Sequence, residues 1–153
     1  MSDVKKRIAE LGLEIPKPVA PVANYVPFVI SGGELFISGQ VSIGPKGLIK
    51  GKLGADMSVE DGIAAAKACA VNLIAQMNAA LDGDLDRVKR VVKLTGFVNC
   101  APDFTDQPKV INGASDLMVA IFGDKGRHAR AAVGAPSLPL GAAVEVDAIV
   151  EIA

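Results

Sequence analysis

The spacing of apolar residues along the chain first predicts β-strands. Between residues 25 and 43 apolar side chains recur at every second position, and Gly32-Gly33 interrupts them. Because glycine accepts positive φ at both turn positions, this pattern predicts a β-hairpin. Residues 44–47 predict a second turn before a short strand at 48–49, and residues 87–100 predict a longer strand.

Helical spacing predicts two long helices. Ser58 is a typical N-cap in front of an acidic first turn, and apolar positions then repeat at helical intervals as far as residue 81. This segment predicts a helix of about six turns. A second helix is predicted within residues 103–122, from Pro108 onward, since proline is tolerated in a first turn.

Two apolar runs near the C-terminus carry the most suggestive side chains. Arg130 lies in the first run, residues 128–134, and Glu145 lies in the second, residues 144–150. The Pro- and Gly-containing segment between them predicts a turn, and hence two paired strands with the guanidinium near the carboxylate. Such a pair can bind a carboxylate substrate and control a proton or a water beside it.

The order of the predicted elements defines the fold class. A short amphipathic helix at residues 3–11 and a Pro-rich connector occupy residues 1–22. After them, the order of strands, helix, strand, helix and two strands predicts an α+β fold, with a mixed β-sheet and two main helices packed on one face. Residues 1–153 are expected to form a single domain, since this length suffices for one core.

Composition narrows the function classes. Half of the residues are hydrophobic, yet the chain has no Trp, one Tyr and five Phe, so small aliphatic side chains must build the core. The formal net charge of −1 does not favour nucleic acid or an anionic membrane as a partner. With no signal sequence, no membrane span and no CxxC motif, we expect a cytoplasmic protein with reduced thiols.

The pattern alone leaves the roles of Arg130 and Glu145 open. Small alanines around Arg130 leave room for a ligand, but a solvated arginine at a strand start has the same pattern. Glu145 lies on the polar side of its strand, which faces either solvent or another subunit. His128, the only histidine, is interpreted as a loop residue, because a metal site needs several ligands at set spacing.

The other reactive or charged side chains favour structural roles. Cys69 lies beside the apolar stripe of the first long helix and is interpreted as a buried, inert thiol, and Cys100 ends a strand without an expected base beside it. A basic cluster within residues 87–93 favours a solvated edge strand over an RNA-binding surface, since charge protects sheet edges and no aromatic residue interleaves it. The cluster comprises Arg87, Lys89, Arg90 and Lys93.

Four groups of residues carry a resemblance to the RidA/YjgF family of reactive intermediate deaminases, whose members are also described as L-PSP-type endoribonucleases. The resemblance runs over residues 25–149 and is most specific in its last two groups. The groups are Tyr25-Val26 with Ile37-Ser38-Gly39-Gln40; Val91-Val92-Lys93 with Phe97-Val98 and Asp103-Phe104; Ala129-Arg130 with Val133; and Leu138-Pro139 with Val144-Glu145-Val146 and Ala148-Ile149.

The resemblance implies a chorismate-mutase-like fold, a homotrimer with clefts between subunits, and no metal or cofactor. It implies hydrolysis of reactive enamines and imines such as 2-aminoacrylate, in which Arg130 binds the substrate carboxylate and Glu145 orients or activates the attacking water. The substrate-binding residues that it implies are Tyr25, Ser38, Gly39 and Asn112.

Two departures from the family pattern lie beside Arg130. Ala132 replaces a cysteine common in the family, and His128 replaces a common proline. Two other functions stay open at this point. One is a non-catalytic homotrimer that binds a small carboxylate as a sensor or chaperone-like protein, and the other, less favoured, is a protein that acts on RNA.

Overall fold

The computed structural model describes residues 2–21 and 23–153, and two residues of the predicted N-terminal segment, Met1 and Val22, lie outside the described residues. The elements follow the predicted order. The helices are α1 (Asp3–Glu10), α2 (Val59–Ala80) and α3 (Gln107–Phe122). The strands are β1 (Phe28–Ser31), β2 (Glu34–Val41), β3 (Ile43–Gly44), β4 (Gly47–Leu48), β5 (Val88–Asn99), β6 (Ala129–Ala135) and β7 (Val144–Ile152).

The predicted capping and turn residues occur at the ends of these elements. The Ser58 hydroxyl caps α2 by accepting a hydrogen bond of 3.1 Å from the Asp61 N–H. Gly32 and Gly33 adopt positive φ angles of 60° and 81° and close the hairpin between β1 and β2. Within the described residues, no helix combines the length and apolar character needed to cross a bilayer.

Five strands form one mixed sheet in the order β1-β2-β7-β5-β6, while β3 and β4 form a separate hairpin. In the large sheet β5 and β6 run parallel and the other neighbours run antiparallel. The prediction that the last two strands pair is therefore wrong, because β5 lies between β6 and β7. Strand β7 has alternating buried side chains and takes the centre of the sheet, whereas the alanine-rich and partly exposed β6 takes the edge.

The edge strand predicted at residues 87–93 is confirmed for the first half of β5. Strand β5 pairs with β7 along its length and with β6 from Lys93 onward, so its second half is central. Its first half extends beyond β6, and there Lys89 forms an ion pair of 3.1 Å with Glu151. The prediction does not extend to Lys93 and the residues after it, because the position of a strand in a sheet depends on long-range partners, which the charges of one strand do not encode.

Helices α2 and α3 pack side by side on one face of the sheet, which confirms the predicted α+β arrangement with two main helices. Small residues permit this approach, since a Cβ atom at Gly113 would collide with the carbonyl of Ile63. The short helix α1 packs against α3. The other face of the sheet is open, and its side chains Val29, Phe36 and Val133 are 50%, 41% and 44% exposed.

Candidate functional site

Arg130 lies on the edge strand β6 and points to the helix side of the sheet. Its register partner on β5 is Leu94, whose side chain is fully buried beneath the helices. The guanidinium Nη1 donates to Asn112 Oδ1 at 2.8 Å and to Ser115 Oγ at 3.2 Å, while Nη2 lies 3.5 Å from the Pro108 carbonyl. The structure thus brings together two predicted site residues, Arg130 and Asn112.

Ser115 connects Arg130 to the only histidine. His128 lies in the loop before β6, as predicted, with Nε2 2.8 Å from Ser115 Oγ and Nδ1 2.6 Å from the Gly126 carbonyl oxygen. Burial lowers the pKa of His128 below its usual value, the hydrogen bond to Gly126 opposes that change, and the charge of Arg130 lowers the pKa further. We call Arg130, Asn112, Ser115 and His128 the arginine half-site.

The guanidinium of Arg130 has no acidic partner among residues 2–21 and 23–153. The ion pairs in this part of the chain join other side chains, at the first half of β5, at the start of α3 and in the turn after α3. Neutral oxygen atoms alone therefore surround a partly buried positive charge. Such an environment suits an anionic ligand, because a carboxylate would supply the missing counter-charge.

Glu145 lies on the open face of the sheet, beside Gly39. Its register partner on β5 is Phe97, which is offset by an odd number of residues from the buried Leu94 and so faces the opposite side. A Cβ atom at residue 39 would overlap the carboxylate of Glu145, so only glycine leaves space for this side chain. We call Glu145, Gly39 and the adjacent Ser38 the glutamate half-site.

The carboxyl group of Glu145 is half-buried and makes no hydrogen bond or ion pair with the described residues. Burial raises its pKa above the usual value, and the charge of Asp147 raises it further. Burial also raises the pKa of Asp147, although hydrogen bonding by Thr95 and the charge of Lys93 oppose that change. Two adjacent carboxyl groups on one open face therefore hold protons more tightly than usual.

The predicted residue Ser38 is hydrogen-bonded to the segment that directly follows Tyr25. The Ser38 hydroxyl donates to the Val26 carbonyl at 2.8 Å, and the Ser38 N–H donates to the Pro27 carbonyl at 2.9 Å. These bonds hold the segment after Tyr25 against β2. Tyr25 itself is 52% exposed.

The predicted proximity of Arg130 and Glu145 is wrong within one chain. They lie on either side of β5 and on opposite faces of the sheet. Given about 3.3 Å per residue along a strand and about 4.8 Å between strands, their backbones are on the order of 14 Å apart. A single chain therefore contains two separate half-sites of opposite charge.

The two thiols take no part in either half-site. Cys69 is fully buried, burial strongly raises its pKa, and its Sγ donates to the Val144 carbonyl, which agrees with the predicted inert thiol. Cys100 is also buried, at the end of β5. In the described ranges no three His, Cys, Asp or Glu side chains come together as ligands for a metal ion.

Ser115 is the half-site residue that the sequence prediction missed. Pro108, Asn112 and Ser115 are spaced four and three residues apart, which places them on one side of α3. The two polar residues at this spacing, Asn112 and Ser115, were the available signal. Its partner could not be named, because β6 reaches α3 only through the parallel pairing of β5 and β6.

Residues 5–152 match the family described as "YjgF/chorismate_mutase-like, putative endoribonuclease". The match spans nearly the whole chain, so the protein belongs to this family. Together with the mixed sheet and its two main helices, it confirms the predicted family and the chorismate-mutase-like α+β fold.

Similar proteins are found in several organisms. Protein TCP17 from Trypanosoma cruzi is 54% identical over 154 residues, which cover 97% of this chain and 94% of that protein. The structure of Atu1372 from Agrobacterium tumefaciens, a protein of unknown function, has a TM-score of 0.92 at 50% identity and covers 98% of this chain and 92% of its own. A candidate endoribonuclease from Shewanella oneidensis MR-1 has a TM-score of 0.94 at 38% identity, covering 99% of this chain and 100% of its own.

Proposed function

We propose that this protein is an enamine/imine deaminase that acts on small intermediates such as 2-aminoacrylate. The enamine tautomerises to an imine, water adds to the imine carbon, and the C–N bond breaks. The products are pyruvate and ammonia, so one water is consumed and no electrons are transferred. The reaction needs a group that holds the substrate carboxylate and a group that positions water, but no strong nucleophile.

The observation that carries this proposal is the unpaired, preorganised guanidinium of Arg130. Asn112 and Ser115 fix its position, and no acidic side chain of the described residues neutralises it. A small 2-imino acid has one carboxylate, which would complete this arrangement. In this role Arg130 binds the substrate carboxylate and Asn112 orients the guanidinium.

Glu145 supplies the water-positioning group in the proposed mechanism. The raised pKa of Glu145 suits this role, because it lies closer to the working pH than that of an exposed glutamate, and an acid or base works best with a pKa close to that pH. Gly39 gives this carboxylate its space. Ser38 and Tyr25 line the same side of the cleft, and Ser38 holds the loop after Tyr25 in position.

The two half-sites meet in this proposal across a boundary between subunits of a homotrimer. Arg130 and Glu145 are too far apart in one chain to hold one small substrate, and each carries a charge without a partner among the described residues. A head-to-tail interface that closes into a ring joins the arginine half-site of one copy to the glutamate half-site of the next. The exposed apolar side chains of the open sheet face suit such an interface.

Removal of the guanidinium tests the mechanism. In Arg130→Ala, ammonia release from 2-aminoacrylate, generated in situ by a dehydratase, should fall at least about 100-fold in kcat/KM, because a charge-assisted bidentate contact is lost. Arg87→Ala is the matched control, since the Arg87 side chain donates a hydrogen bond only to the Ala153 carbonyl among the described residues. Unchanged ammonia release in Arg130→Ala would sink the assigned mechanism.

A mixed-subunit experiment tests the shared site. Arg130→Ala and Glu145→Ala subunits are co-expressed with different tags, and mixed oligomers are purified. If each site takes one residue from each of two copies in a closed head-to-tail trimer, about a third of the sites in the mixed trimers regain both residues, so activity returns to about a third of the wild-type value. Mixed oligomers as inactive as the parent variants would contradict a site between subunits.

The separation of Arg130 from Glu145 favours a second candidate function, a non-catalytic homotrimer that binds a small carboxylate. Such a protein needs Arg130 but not Glu145. It predicts that pyruvate stabilises the wild type and Glu145→Ala equally against heat, while neither releases ammonia. Ammonia release by the wild type above the uncatalysed rate would reject this alternative.

The family description favours a third candidate, a protein that acts on RNA. RNA binding through phosphates weakens steeply with salt, because counterions are released. A salt-dependent affinity for single-stranded RNA, together with RNA cleavage that Arg130→Ala abolishes, would favour this candidate over the deaminase. The formal net charge of −1 weighs against it.

A further inference from the structure

Ser115 and His128 form a hydrogen-bonded layer behind Arg130, and neither residue is needed as a substrate ligand in the proposed function. We infer that Ser115 and His128 are positioning residues that direct the Nε–Nη2 edge of Arg130 toward the ligand carboxylate. This inference rests on the proposed function for its ligand, a 2-keto or 2-imino acid. It identifies a determinant of ligand orientation in this chain, because His128 occupies the position where the family commonly has proline.

The donors and acceptors of this layer can be arranged in one way when the imidazole is neutral. The Gly126 carbonyl can only accept, so His128 Nδ1, 2.6 Å away, must carry the ring proton. Nε2 is then an acceptor and receives the Ser115 hydroxyl proton across 2.8 Å. The Ser115 oxygen, whose proton is used, accepts from Arg130 Nη1 at 3.2 Å.

Saturation of Nη1 decides which edge of the guanidinium remains for a ligand. Nη1 has two hydrogens, and Asn112 Oδ1 and Ser115 Oγ accept one each. Nε makes no hydrogen bond with the described residues, and Nη2 has its long contact with Pro108 alone. The Nε and Nη2 hydrogens are parallel, which matches the two oxygens of a planar carboxylate.

The same contacts argue against Ser115 as a nucleophile, although its hydroxyl and His128 resemble a nucleophile–base pair. Ser115 lies in the middle of α3, where backbone N–H groups are bonded within the helix and cannot stabilise an oxyanion. Its oxygen also accepts from Arg130, which draws electron density away. The layer therefore orients the guanidinium and takes no bond-forming step.

The equilibrium affinity for pyruvate, measured by calorimetry on the intact protein, tests the layer. Ser115→Ala removes a hydrogen bond to the guanidinium, and His128→Gln removes the imidazole that accepts from Ser115. Each variant should raise the pyruvate Kd about tenfold, because hydrogen bonds that orient a charged group are strong. Ser115→Thr retains the hydroxyl and should restore affinity to within about threefold of the wild type. Asp116→Ala, at the exposed neighbouring position of α3, is the control. Wild-type affinity in folded Ser115→Ala and His128→Gln overturns the inference.

A nuclear magnetic resonance measurement provides a readout that a merely structural role would not change. His128 is the only histidine, so its ring nitrogen signals are unambiguous in the whole protein. We expect the tautomer protonated at Nδ1, and we expect Arg130→Ala to raise the pKa of His128, because it removes a neighbouring positive charge. The Nε2-protonated tautomer, or no response of the His128 titration to Arg130→Ala, overturns the inference.

These readouts separate the inference from the proposed function. If the wild type binds pyruvate through the layer but releases no ammonia, the deaminase proposal fails and the positioning role stands. If the wild type releases ammonia and the Ser115 and His128 variants bind pyruvate normally, the positioning role fails and the deaminase proposal stands.

Discussion

The arginine and glutamate half-sites are built in different ways. Arg130 is held by the hydrogen bonds that it donates to side chains of a helix on the same face of the sheet, so its position is set within one chain. Glu145 is positioned by packing alone. Its side chain fills the space left by the missing side chain of Gly39 and makes no polar contact with the described residues. One half-site is polar and internally connected, and the other is a charged group on an open face.

This difference indicates what each half-site requires from its surroundings. A guanidinium oriented by neutral acceptors is ready to bind an anion without further rearrangement. A half-buried carboxyl group with a raised pKa would hold its proton still more tightly if a ligand or another subunit covered it, because further burial shifts the proton equilibrium in the same direction. The following changes disturb one half-site at a time.

The largest effect is expected from Gly39→Ala. The new methyl group would occupy the position of the Glu145 carboxylate, which can rotate away because it is the end of a flexible side chain. Stability should therefore change by less than about 1 kcal/mol, while kcat for ammonia release should fall on the order of 100-fold.

Gly44→Ala is the matched control for this change. A Cβ atom at residue 44 would meet only an ordinary contact, 3.5 Å from Ile49 Cδ1, so activity and stability should remain close to those of the wild type. Equal activity of Gly39→Ala and Gly44→Ala would contradict the steric account of the glutamate half-site.

An intermediate effect is expected from Asn112→Ala in the arginine half-site. The variant loses the 2.8 Å acceptor of Arg130 Nη1, so the guanidinium gains freedom that ligand binding must remove. The pyruvate Kd should rise about fivefold to tenfold with little change in melting temperature, since Asn112 is exposed. An unchanged Kd in Asn112→Ala would show that Ser115 alone is sufficient to orient the guanidinium.

A smaller effect is expected from Ser38→Ala. The hydroxyl donates a 2.8 Å hydrogen bond to the Val26 carbonyl in an exposed loop, and loss of such a bond costs about 0.5–1 kcal/mol. Urea unfolding measures this cost, and ammonia release tests whether the loop that carries Tyr25 also shifts. Ser42→Ala removes a hydroxyl that is fully buried and serves two partners, so it should cost more than Ser38→Ala.

Local signals predicted most of the fold. The N-cap at Ser58, the Gly32-Gly33 turn and the apolar spacing of both long helices depend on neighbours within a few residues, and the structure follows them. The strand order could not be derived in this way. The turn after β6 suggested a hairpin with β7, but a parallel pair between β5 and β6 separates them, and such a pair joins residues far apart in sequence.

Contacts between distant parts of the sequence were likewise the unpredicted part of the candidate site. Arg130 and Glu145 were singled out from the sequence pattern, and the resemblance added Gly39 and Asn112. The structure places Asn112 against Arg130 and Gly39 against Glu145. The two half-sites were expected together because the strands were expected to pair. The connection from Ser115 to His128 could not be predicted, because it depends on how α3 packs against the end of β6.

The smallest effect is expected from pH, and it has opposite signs in the two halves. The folded-state pKa of His128 is lowered from 6.5, so as pH falls below 6.5 the unfolded chain binds this proton first and stability decreases. The folded-state pKa of Glu145 is raised from 4.5, so its contribution to stability is complete below pH 4.5 and is lost as pH rises through the folded value. Between pH 6.5 and pH 4.5, acidification therefore lowers the stability of the fold through His128 and raises it through Glu145.

Urea midpoints at pH 7 and pH 5 separate these contributions. His128→Gln should lose less stability on acidification than the wild type, because the destabilising proton uptake is gone. Glu145→Gln should lose more, because the compensating carboxyl group is gone. Both groups are only partly buried, so each difference should be smaller than that of Ser38→Ala. The same pH dependence in His128→Gln and Glu145→Gln would mean that the two halves do not differ electrostatically as described.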